Sequence, residues 1–214
     1  MRKPINSNAF FKTLKDQDVF LHHPFDSFDP VVELIQLAAN DPKVTRICQT
    51  LYRTTSDSAI IKPLMIAAQK GKQVTALIEI KARFDEANNI RLARQLEKSG
   101  VKVIYGTSEL KVHAKLSYVE RSSNNEVPDC FVHISTGNYH PNTAKIYTDI
   151  GLLTSDPAYG EDARFLFNSL EKMDNEEDYS GVYDSEKFQK GFKCWKVSPQ
   201  NLHQEIIRWI QAEA

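Results

Sequence analysis

The chain has 214 residues, 41% of them hydrophobic and 26% charged, and its formal net charge is −1. That is enough apolar material for one ordinary domain with an added piece, and it excludes a disordered tail. The near-neutral balance excludes a global field that gathers nucleic acid or an anionic membrane, so any anion site has to be a local cluster.

In chain order, "DVFLHH" (18–23) predicts a short strand. "FDPVVELIQLAAN" (28–40) predicts a helix, with Val31, Leu34, Ile35 and Ala38 at helical spacing, Asp29 as N-cap and Pro30 at the first helical position. "VTRICQTLY" (44–52) is β-branched and strand-like, and "SDSAIIKPLMIAAQKG" (56–71) reads as a helix ending at Gly71, with Pro63 deeper than its first turn. "QVTALIEI" (73–80), "DEANNIRLARQLEKSG" (85–100) and "VKVIYG" (101–106) continue as buried strand, helix and strand. This alternation predicts a largely parallel sheet with helices on its faces. From there "KVHAKLSYVE" (111–120), "DCFVHIS" (129–135) and "IYTDIGLLT" (146–154) are strands without intervening helices, the first two joined by a hairpin loop, and 159–173 is a further helix. An acidic, polar stretch follows. "FKCWKV" (192–197) then reads as a new strand and the last residues as a capped amphipathic helix with Leu202, Ile206 and Ile210 on one stripe.

Cys48, Cys130 and Cys194 are odd in number and far apart, which excludes a disulfide framework, and no CxxC pair suggests zinc. The N-terminal residues lack an apolar signal core, and no run of 18 apolar residues occurs. A reducing cytoplasm and no transmembrane segment are expected.

In "LKVHAKLSYVE" (110–120), strand alternation sets His113 and Lys115 on one face and Val112, Ala114 and Leu116 on the other. A lone histidine on a strand is usually structural, but a lysine two residues on repels it unless an anion sits between them. Phosphate is the natural anion. Imidazole is a good nucleophile toward phosphorus and is mostly neutral near pH 7, while the ammonium offsets charge on the phosphoryl oxygens. Arg53 and Arg83 each fall just past a predicted strand end, where ligands bind in open parallel sheets. Two guanidinium forks there suit a phosphate clamp, the alternative being pairing with Asp57, Asp85 or Glu86. "STGNYHPNTAKIYTD" (135–149) supplies small donors, in which Ser135, Thr136, the Gly137 backbone and Asn138 read as an oxyanion cradle or as a plain turn, with Lys145 and Tyr147 following. His22 and His23 lie at a strand end near the presumed site and read as structural. His133, His140 and His203 read as strand, turn and helix-surface residues.

An HxK strand followed by a Gly-x-Asn-type turn resembles the phospholipase D superfamily, in which two such halves meet and a histidine attacks phosphorus. The Asp of that signature is Glu120 here, on the face away from His113. The ordered set "DVFLHHPFDSF", "LYRTTSDSAII", "GKQVTALIEIKARFDEANNI", "GVKVIYG", "LKVHAKL", "STGNYHPNTAKIYTDIGLLTSD" and "SPQN" is similar to the long-chain polyphosphate kinases of phospholipase-D-like type. The similarity is dense over 18–170 and thin over 192–214.

That resemblance implies a mixed, largely parallel α/β sheet flanked by helices. It divides the chain into a leader (1–17), a first catalytic half (18–171), a linker (172–191) and the start of a second half (192–214). It implies reversible transfer of the γ-phosphoryl group of ATP to polyphosphate through a phosphohistidine at His113, assisted by Lys115. Arg53, Arg83, Thr136, Asn138, Lys145 and Tyr147 become phosphate or nucleotide contacts. Mg²⁺ enters with ATP, bound through phosphate oxygens near Arg53 and Arg83 without a direct protein ligand. Partners implied are ATP or ADP, polyphosphate, and the missing N-terminal, helical and second catalytic domains of a longer homo-oligomeric chain. Nucleic acid is not among them. The setting implied is cytoplasmic or membrane-peripheral, and the isolated piece is expected to be inactive. The alternatives are half of a phosphodiesterase of the broader superfamily and a non-catalytic polyanion-binding module.

Overall fold

The computed structural model describes residues 9–52, 58–79, 86–106, 112–124, 127–173, 188, 190–198 and 201–213. Seven strands form one sheet in the order β1-β7-β6-β5-β2-β3-β4: β1 Val19–His23, β2 Val44–Leu51, β3 Gln73–Ile78, β4 Lys102–Tyr105, β5 Lys115–Arg121, β6 Asp129–Ser135 and β7 Asp149–Thr154. The helices are α1 Phe10–Asp16, α2 Asp29–Asn40, α3 Ile61–Gln69, α4 Glu86–Lys98, α5 Pro157–Met173 and α6 Leu202–Glu213. The fold is mixed α/β, as expected, but its parallel share is smaller than the strand–helix alternation suggested. Parallel pairing is confined to β2-β3 and β3-β4, whereas β1-β7, β7-β6, β6-β5 and β5-β2 are antiparallel. The run of three strands without helices is what makes the second half antiparallel.

Alternating side chains feed two cores. On one face Ile47, Ala76, Val103, Val119 and Phe131 pack with α1 to α4; on the other Cys48, Leu77, Ile104, Tyr118 and Val132 pack with Ala163, Phe167 and Leu170 of α5. Each fully buried large apolar side chain contributes roughly 1.5–3 kcal/mol. Glu171 fastens α5 to the sheet, accepting from Arg46 Nη2 on β2 (3.0 Å), Thr75 Oγ1 on β3 (2.8 Å) and Lys102 Nζ on β4 (3.2 Å). Burial pushes its carboxyl up, but the hydrogen bonds from Thr75 and Lys102 and the charges of Arg46 and Lys102 outweigh that and hold it below its ordinary value.

Helix ends show where local chemistry decided the structure. Gly71 and Gly100 have φ of +83° and +88° and close α3 and α4 with paired bonds, Lys72 N–H to Ala67 O and Val101 N–H to Leu96 O being the outer ones. Helix α3 begins at Ile61, later than expected, so Pro63 sits in the first turn, where its missing N–H has no intrahelical partner to lose. Asp29 is the first residue of α2 and not its cap; its N–H is taken by Ser27 Oγ at 3.1 Å.

Three segments depart from expectation. Residues 10–16, given no element from sequence, form α1, with Phe10 and Leu14 buried in the larger core. Residues 192–197 form no strand: three successive N–H groups there are taken by a side chain, Asp162 of α5, instead of a ladder. Helix α6 is present, but none of its residues is buried, and Ile206, Ile207, Trp209 and Ile210 stand exposed. No helix among the described residues is long and apolar enough to cross a membrane.

Candidate active site

One end of the sheet gathers the C-terminal ends of β1, β2 and β6 and the start of β5 and β7. Strand β5 begins at Lys115, not at Lys111, so His113 precedes the ladder and is exposed. Lys115 is buried, which corrects the expectation that both side chains share a solvent face. Its Nζ folds back to donate to the His113 carbonyl oxygen at 2.6 Å and lies 5.6 Å from the Tyr52 ring centre. The Tyr52 and His113 rings meet edge to face, 6.1 Å apart and at 66°.

Tyr52 is the residue after β2. Just before it, the Thr50 hydroxyl accepts the Leu116 N–H (2.9 Å) and donates to the Leu116 carbonyl (3.4 Å), continuing by side chain a ladder whose last backbone pair is Gln49–Ser117. Arg53 and Arg83 lie outside the described residues. Glu120 sits near the far end of β5, accepting a hydrogen bond from Tyr118 at 2.8 Å.

The 135–138 segment departs from an open cradle. Lys115 pairs with Ser135 across β5-β6. Ser135 Oγ donates to Ile150 O (2.9 Å) and accepts Gly137 N–H (3.0 Å); Thr136 Oγ1 donates to Asp149 Oδ1 (2.8 Å) and accepts Ile150 N–H (3.0 Å). These donors are used to pin the turn to β7. Gly137 is required for space, since a Cβ there would lie 2.6 Å from Asp149 Cγ. Asn138 differs: its Oδ1 is buried and has no hydrogen-bond partner among the described residues. Lys145 closes a short 3₁₀ turn, Thr143–Lys145, and Tyr147 follows at 62% exposure.

Beneath this end lies a buried polar group. Tyr139 anchors the turn to β6 through its hydroxyl, which donates to the His133 carbonyl (3.3 Å) and meets His133 Nδ1 at 2.9 Å. His23 is also buried, with Nδ1 against Asp26 O at 2.9 Å, and the Nε2 atoms of both histidines have no hydrogen-bond partner among the described residues. Burial, and then the neighbouring His23, push His133 down to about 3. An imidazole depressed in the folded state binds fewer protons there than in the unfolded chain. Its stabilisation is therefore complete above the unfolded value near 6.5 and is lost as pH falls toward 3. Urea midpoints measured from pH 7 to 4 should fall steeply for the wild-type chain and less steeply for His133→Gln; equal slopes would show that this histidine is not the titrating group.

Sequence reasoning missed Tyr52, Asp149 and Tyr139 as organisers of this end. Each lay in a quoted motif, but the contacts of Tyr52 and Asp149 depend on which strands become neighbours, and that of Tyr139 on how its turn folds back onto β6. Among the described residues, no group of three or more His, Cys, Asp or Glu side chains is placed to hold a metal ion.

Comparison with known proteins agrees with this architecture. Residues 9–176 match the family model "Polyphosphate kinase C-terminal domain 1". A polyphosphate kinase of Halalkalibacterium halodurans is 54% identical over 166 residues, covering 78% of this chain and 23% of its own length. The crystal structure of polyphosphate kinase from Porphyromonas gingivalis superposes with a TM-score of 0.68 at 36% identity, over 79% of this chain and 29% of that one. Nuc, a phospholipase D family member from Salmonella typhimurium, shares the fold at a TM-score of 0.54 and 17% identity, over 74% of this chain and 94% of its own. The chain thus spans about a quarter of the relatives named polyphosphate kinase, and it belongs to the polyphosphate kinase family as a C-terminal domain with the phospholipase-D-like fold.

Proposed function

We propose that this chain is the His113-bearing part of an ATP–polyphosphate phosphotransferase. The observation that carries the reading is the exposed His113 imidazole beside a buried ammonium, Lys115 Nζ, tied to the His113 backbone 2.6 Å away. A nucleophile has to reach its substrate, and a buried cation acts more strongly than an exposed one on charge that develops nearby. An imidazole nitrogen attacks the γ-phosphorus of ATP; an N–P bond forms, the bond to the bridging oxygen breaks, and its electron pair leaves with ADP. A terminal oxygen of polyphosphate then attacks the same phosphorus and the N–P bond breaks. Both bonds broken are high in energy, so the transfer runs either way.

Asn138, Lys145 and Tyr147 are proposed to contact phosphate or nucleotide from the turn joining β6 to β7. Thr136 does so only by releasing Asp149. Magnesium would arrive on the phosphate oxygens of ATP beside Arg53 and Arg83, where it screens their charge. The remaining domains of a longer chain complete the site, so turnover by these 214 residues alone is not expected. The test is to incubate the full-length protein with ATP labelled at the γ-position and map the label by mass spectrometry. Acid-labile label on His113 that polyphosphate removes supports the reading. Cleavage of a lipid or nucleic-acid diester with no label on His113 overturns it and favours a phosphodiesterase.

A further inference from the structure

We infer that Tyr52 is a positioning residue for this transfer, fixing the His113 imidazole and the Lys115 ammonium relative to each other; the inference rests on the proposed role of His113. Tyr52, His113 and Lys115 form a closed triangle in which each touches the other two. The rings of Tyr52 and His113 meet edge to face at 6.1 Å, the ammonium stands 5.6 Å from the Tyr52 ring centre, and the ammonium bonds the His113 carbonyl at 2.6 Å. The Thr50 hydroxyl pegs the end of β2 to Leu116 and so keeps Tyr52 opposite His113.

The chemistry requires this kind of support. His113 lies outside the ladder and is exposed, so its backbone alone does not select one ring orientation. In-line attack needs the nitrogen lone pair aimed at phosphorus, and misaimed rotamers are unproductive. An aromatic edge-to-face contact restricts the ring without covering it. The same aromatic face holds the ammonium by cation–π attraction, which does not cancel its charge as a carboxylate would. It is the ring of Tyr52 that carries this role.

The variants are Tyr52→Leu, Tyr52→Met and Tyr52→Phe in the full-length protein. Rapid-quench mass spectrometry measures the rate of His113 phosphorylation from ATP, and equilibrium binding measures nucleotide affinity. Loss of the ring should slow phosphorylation by about tenfold or more while affinity changes by less than about threefold, as expected for lost orientation. Tyr52→Phe should restore most of the rate. Tyr52→Met, close in volume, carries the comparison if the leucine variant fails to fold. Histidine-selective NMR gives a second readout: the His113 ring protons should shift on replacement by Met or Leu and stay nearly in place with Phe. Wild-type rates in Leu and Met variants that fold, a Phe variant as slow as they are, or unmoved His113 resonances would overturn the inference. If wild-type His113 takes no label at all, the phosphotransfer reading fails, while the NMR comparison still decides whether Tyr52 sets the imidazole.

Discussion

Alanine at position 113 of the full-length protein should abolish the acid-labile phosphoryl label and lower ATP–polyphosphate exchange by about 10³-fold or more, as expected when a covalent nucleophile is removed. The fold should not notice. His113 is exposed and precedes β5, so its removal opens no cavity, and surface substitutions of this sort stay within about 0.5 kcal/mol. The contrast makes the measurement decisive, because lost exchange together with an unchanged unfolding midpoint can only come from chemistry or binding. Nucleotide affinity separates those two. If His113→Ala still incorporates phosphoryl label to wild-type levels, another residue is the nucleophile and the proposed function must be rebuilt around it.

Asp162→Ala should give the largest effect on structure. Asp162 is fully buried, and its carboxylate accepts the N–H groups of Lys193 (2.6 Å), Cys194 (2.7 Å) and Trp195 (2.8 Å). Those bonds fasten the segment after Phe188 to α5, helped by Phe192 against Phe165 and Trp195 against Tyr159. Truncation leaves three donors unpaired at once, a loss of about 2–4 kcal/mol for charge-assisted bonds. Hydrogen exchange at residues 193–195 should accelerate strongly, and Trp195 emission should move toward that of an exposed indole. Retained amide protection in the variant would show that the aromatic contacts alone hold the segment.

What sequence disclosed was local. Periodicity, capping glycines and β-branched runs located the strands and helices between residues 18 and 173, because each signal lies within one element. The matching motifs disclosed His113 and Lys115. What stayed hidden depends on neighbours in space. Strand parity set His113 beside Lys115 on one face, but the ladder starts only at Lys115, whose partner Ser135 is the last residue of β6. The Ser135 and Thr136 hydroxyls read as open because their partners, Ile150 and Asp149, come from a strand 15 and 13 residues away. "FKCWKV" has the composition of a strand, yet a buried carboxylate from α5 claimed its amides. In α6 the apolar stripe was legible, but periodicity does not say what covers it, and its isoleucines and Trp209 stand exposed.

The tight fit of Gly137 against Asp149 limits how this turn can evolve. Any side chain at 137 must first evict the carboxylate that holds Thr136, so the two positions cannot drift independently. Chains that abandon the glycine are expected to carry a smaller residue at 149 and to have found a different way of tying the β6–β7 crossing together.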